Sequence, residues 1–239
     1  MNRYLAATVA LFFFLAAQTF QSIALAYWIP AAQTAQENLA TYLLPVDQAR
    51  AALVGVTILL LIVPYLVIAL RYFGRDPVFS LLGFVFGVGF IGAECAQRSI
   101  DLFLVGARWA RELNDSSGIT REILLRRFDL WNDITAAWYF PLLLAHLLTT
   151  CCFLRVTSTE WRRGGWFRLA PCAFLLNALR LAGRMLSMFA GQTWLEGFNG
   201  ALYFPSVLAV NVLLIGWFLY LCRQEVNAGT YADSRSQAA

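Results

Sequence analysis

The sequence predicts an all-α membrane protein, a polytopic bundle of about six transmembrane helices with a short amphipathic helix on its outer side. Three observations carry this. Of the 239 residues, 60% are hydrophobic, and the mean hydropathy is +0.62. Only 13% are charged, about half of what a soluble domain carries. The apolar residues also fall in long blocks, and a hydrocarbon core about 30 Å thick takes about 20 helical residues to cross. Lipid offers the backbone no hydrogen bonds, so each block must satisfy its own, as a helix does.

The first span covers 4–29 and ends on the interfacial pair Tyr27-Trp28. A cleaved signal peptide is the rival reading, with Ala24-Leu25-Ala26 as its processing site. A polar loop with Gln33, Gln36, Glu37 and Asp47 leads to the second span, 51–72, which holds Pro64. The turn Gly74-Arg75-Asp76-Pro77 is too short for anything but an antiparallel return into the third span, 78–105. That span opens with Gly83, Gly87, Gly89 and Gly92, small residues that let helices approach closely. Residues 107–132 read as the longest loop. Within it Ile119, Ile123, Leu124, Phe128 and Trp131 share one helical face, which defines the amphipathic helix. The fourth, fifth and sixth spans are 134–154, 167–190 and 201–221. The transmembrane domain thus occupies 1–222, and the polar tail 223–239 is expected to be disordered.

Arginines orient the chain. All 18 basic residues are arginine. The short loops at 71–77 and 155–168, with Arg3 and Arg223, form the basic side and are expected in the cytoplasm, with both termini. The composition suits a GC-rich bacterial genome, hence a bacterial inner membrane. The net charge of +4 is spread over these loops, which fits membrane anchoring and not nucleic acid. One histidine, His146, cannot build a multi-histidine metal or haem site, and the five cysteines show no C-x-x-C spacing. No cofactor is expected.

Two polar stripes interrupt the apolar blocks. Glu94, Gln97, Arg98 and Asp101 lie on one face of the third span, and Asn177, Arg180 and Arg184 on one face of the fifth, with Met188 continuing it. A mid-bilayer arginine costs roughly 2.5–3.5 kcal/mol on insertion scales, so these faces must turn inward. Arg98 can pair within its own helix with Glu94 and Asp101. Arg180 and Arg184 are then left to seek Asp133, Glu196 or an anionic ligand. Gln18, Gln21 and Asn199 reach a similar depth.

Three functions fit this pattern. One is a binding protein, transporter or sensor, taking a small anionic or zwitterionic molecule at Glu94, Arg98, Asp101, Asn177, Arg180 and Arg184. Another is an accessory subunit with a static charge network, packed on a membrane-protein partner or on copies of itself. The third is an intramembrane enzyme using Glu94 or Asp101, which Arg98 disfavours by holding both acids ionised. No nucleophile or phosphate-loop motif is present. One internal echo, Tyr139-Phe140-Pro141 and Tyr203-Phe204-Pro205, falls near the outer ends of the fourth and sixth spans. The loop order, with the Tyr65–Arg71 helix end and the Arg75-Asp76 turn, loosely resembles a bacterial six-helix membrane family of unknown function. That resemblance implies the fold and no site residues.

Overall fold

In the computed structural model, residues 2–190 and 194–236 are described, without the side chains of 194, 196–199 and 229–236. Six helical segments are long and apolar enough to cross a membrane. The chain is a multi-pass membrane protein, all-α among its described residues.

Segment one is α1 (Arg3–Ile23), which runs on through π-helical turns at Ala24–Trp28. Asn2 caps it, its side chain accepting from the amides of Tyr4 and Leu5. A short helix, α2 (Ala35–Thr41), follows within the stretch expected as a loop. Segment two is α3 (Pro45–Leu60) and α4 (Ile62–Phe73), divided at Leu61. Pro64 has no N–H to offer the carbonyl four residues earlier, and the interruption falls there. At the Arg75-Asp76-Pro77 turn the Asp76 side chain accepts from the Phe79 amide, with proline at the first helical position, so α5 (Pro77–Ser99) starts sharply.

Segment three does not stop near Val105. It continues through π-helical turns at Ile100–Ala110 into α6 (Arg111–Asp115). The long loop expected at 107–132 shrinks to Ser116-Ser117. The separate amphipathic helix is also corrected, because α7 (Gly118–Thr157) is one helix of 40 residues that contains the fourth span. Between Gly118 and Pro141 the sequence has neither glycine nor proline to break it. At 1.5 Å per residue α7 is about 60 Å long, twice the hydrocarbon thickness. Its first half therefore stands beyond the bilayer. There Leu124 and Phe128 bury against Leu39, Val105, Ala110 and Leu113 as a second core, separate from that of the bundle. This cap packs on Tyr42, whose phenol is raised above its ordinary range by burial and by the Asp101 and Asp47 carboxylates.

Segment five is α8 (Leu169–Phe189), reached through tight turns in which Gly164 and Gly165 take positive φ. Segment six belongs to α9 (Trp194–Ser236), which runs past Leu221 through most of the stretch expected as a tail.

The segments form a closed ring in the order one, two, three, four, five, six, with α9 returning to pack on α1. Arg3, Arg75, Thr159 and Glu225 meet at one end of this ring, here termed the terminal end. The cap occupies the opposite, far end. Outward-facing Phe12, Val56, Val78 and Leu179 suit lipid contact. Of the glycines on α5, Gly83 and Gly87 serve close packing, since a Cβ would meet Phe153 at 2.7 Å and Tyr65 at 2.5 Å. Gly89 and Gly92 face open space.

Candidate functional site: a central cavity

A polar side chain inside an apolar helix has to find a partner or water. Here Glu94, Arg98, Asn177, Arg180 and Arg184 of the polar stripes, though not Gln97 and Asp101, line a cavity of about 650 Å³ to which all six segments contribute. This lies within the 300–1,000 Å³ typical of small-molecule sites.

Segment five supplies its centre. Asn177, Arg180 and Arg184 recur at three and four residues and so share a face of α8. The Asn177 Nδ2 donates to Thr150 Oγ1 at 2.9 Å and lies 3.3 Å from His146 Nε2, which ties segment five to segment four. Its Oδ1 accepts from Arg180 Nε and Nη2 at 3.1 and 2.9 Å, fixing one edge of that guanidinium. His146 is in turn stacked on Phe90 at 4.2 Å. Arg184 sits between two rings, 5.7 Å from the centre of Tyr139 and 4.9 Å from that of Tyr203, and Arg180 is 5.6 Å from Tyr203.

Segment three lies elsewhere on the wall and pairs its charges within its own helix. Arg98 donates from Nε and Nη2 to Glu94 Oε1 at 3.0 and 2.7 Å. Asp101 stands 3.9 Å from Arg98 Nη1 and accepts from Trp131 Nε1 at 3.1 Å. Asp101 does not line the cavity; its carboxylate faces the foot of the cap. Arg50 lines the mouth and pairs with Asp47 at 2.7 Å.

Among the described residues the charges do not all close on one another. Of the ionised groups lining the cavity, Arg98 is matched by Glu94 and Arg50 by Asp47. Among the described residues, neither Arg180 nor Arg184 has a carboxylate at ion-pair distance. Asp133 is exposed and off the lining, and the side chains of Glu196, Asn199 and Trp194 lie outside the described residues. Gln18, Gln21 and Met188 do line the cavity, as their depth suggests.

Sequence reasoning underweighted Tyr139 and Tyr203 and missed Arg50. The signal for the tyrosines was the repeated Tyr-Phe-Pro, which turns out to deliver both rings to one guanidinium. Asn211 also lines the cavity while its Nδ2 donates to its own helix at Val207 O.

Toward the terminal end the cavity is sealed. Tyr65, Phe153 and Phe174 pack ring to ring at 5.6 Å beneath it, and Trp217 and Phe218 are fully buried. Below them Glu160, only 1% exposed, accepts from Tyr72 Oη at 2.8 Å and from Arg71 Nη2 at 3.4 Å. Arg71 Nη1 donates to Tyr4 Oη at 3.0 Å. The loop acid Glu160 is thus a buried strut that hydropathy does not reveal.

Chemically, this arrangement can bind anions. Cavity-facing Glu94 and neighbouring Asp101 both lie against Arg98, which leaves no carboxyl remote from a guanidinium beside the open volume among the described residues. Among the described residues, no three of His, Cys, Asp and Glu come together as metal ligands would. No protein-family model matches the chain, and neither does any curated protein or solved structure.

Proposed function

We propose that this protein binds a small anionic or zwitterionic molecule in its central cavity, as a transporter or sensor of a bacterial inner membrane. In this reading both termini are cytoplasmic, because the terminal end carries Arg71, Arg75, Arg155, Arg162, Arg163 and Arg168. The cavity then opens to the outside and the aromatic seal faces in.

One observation carries the reading: Arg180 and Arg184 face an open volume with no carboxylate partner among the described residues. Two guanidiniums left without counter-charge by the described residues would be costly at mid-membrane depth. A bound anion would complete their charge and take bidentate hydrogen bonds from either. Asn177 and the two tyrosines hold them in place beforehand, which lowers the ordering cost of binding.

Thermal unfolding of the purified protein with phosphate, sulfate, carboxylates and amino acids is the direct test. At least one is expected to raise the melting temperature, and Arg180→Gln and Arg184→Gln to weaken that ligand tenfold or more. Well-inserted variants that bind equally tightly would overturn the reading in favour of a static network in an accessory subunit.

A further inference from the structure

The cavity wall is two-sided. Its polar groups concentrate on three consecutive segments of the ring: Glu94 and Arg98 on segment three, His146 and Thr150 on four, Arg180 and Arg184 on five. The opposite half, segments six, one and two, presents mainly hydrocarbon. Leu11 and Phe14 come from α1, Ile58 and Leu61 from segment two, and Val207 and Leu214 from α9. Polar residues join this half chiefly toward the mouth, as Gln18, Gln21, Tyr203 and the Asp47-paired Arg50 do, with Asn211 deeper. A hydrated cavity of about 650 Å³ holds roughly twenty waters' worth of volume. Water against that apolar half is readily displaced by a hydrocarbon group.

From this division we infer that the ligand is a single-chain amphiphilic anion. Its phosphate or carboxylate head sits on Arg180 and Arg184 between the Tyr139 and Tyr203 rings, and its hydrocarbon chain lies along segments six, one and two. The inference rests on the anion-binding reading above and adds the chain to it. The volume is that of a site for one small ligand, which favours a single chain over the two of a phospholipid. The seal at Tyr65, Phe153 and Phe174 ends the cavity within the bundle, so chain length is limited.

The test is a series of n-alkyl phosphates from methyl to decyl, with inorganic phosphate as the head alone. The full chain is held in nanodiscs of zwitterionic lipid, and empty nanodiscs are subtracted. Binding should tighten by about fourfold per methylene, equivalent to about 0.8 kcal/mol, and then level off when the chain meets the seal. Arg184→Gln should weaken every member alike. Val207→Thr should flatten the chain dependence.

Phosphate binding that Arg184→Gln removes, with no gain along the series, overturns the amphiphile and leaves the anion reading standing. Octyl phosphate bound equally by Arg184→Gln overturns the placement of the head. If anionic phospholipid in the nanodisc competes with octyl phosphate, the site belongs to a two-chain lipid and the single-chain assignment falls. Absence of binding by any member overturns both readings together.

Discussion

Arg71 meets Tyr4, Glu160 and, at 5.8 Å, the face of Trp217, and each comes from a different part of the chain. Removing one member of a buried charge pair leaves the other uncompensated, at a cost of about 3–5 kcal/mol. Glu160→Ala is accordingly expected to lower the melting temperature strongly, and Glu160→Gln less, since an amide oxygen can still accept from Tyr72. Anion binding at Arg184 should survive Glu160→Gln, because the two sites are separated by the aromatic seal. A ligand-stabilisation assay on that variant distinguishes a strut from a site. Glu160 also marks a limit of sequence reading. Its partners Tyr72 and Arg71 lie 88 and 89 residues away, and nothing around it distinguishes a loop acid in water from one folded under the bundle. Arg180 and Arg184 were readable for the opposite reason: lipid forbids them any outward direction, so their helical spacing alone fixes where they point.

Among the elements, α5 and α7 show what periodicity delivers and what it cannot. The glycines of α5 suggest close packing, and Gly83 and Gly87 provide it while Gly89 and Gly92 do not; the four look alike in sequence. Gly87→Ala is expected to drive its new methyl into Tyr65 and destabilise by about 1–3 kcal/mol. Gly92→Ala should be close to neutral, and paired melting curves compare the two. In α7 Leu124, Phe128 and Trp131 of the expected amphipathic face turn to the cap, Ile119 and Ile123 stay exposed, and the continuity with the fourth span was not legible. Hydropathy reports where a helix leaves the bilayer and is blind to whether it stops there. The cap has its own buried cluster around Phe128, and that burial, with Asp101 receiving the Trp131 indole, holds the extended helix upright. Trp131→Phe should keep the fold, cost the Asp101 carboxylate its indole donor, and increase hydrogen exchange at Ser116-Ser117.

The described residues form a ring around a central cavity that is closed at one end. Single cysteines placed at Arg75 and at Ser117 should react with an impermeant thiol reagent from opposite faces of the membrane, Arg75 only after the cells are opened. Labelling of Arg75→Cys in intact cells would invert the assigned orientation. The ring also sets an order of events. Segment one packs against segment six, so segment one must wait for segment six before its inward face is covered. Until α9 arrives, Gln18, Gln21 and the segment-five arginines have no enclosed volume to face. The ring therefore closes only once segment six has been made. A chain lacking segment six should be cleared by membrane proteases even though its first five spans remain apolar enough to insert.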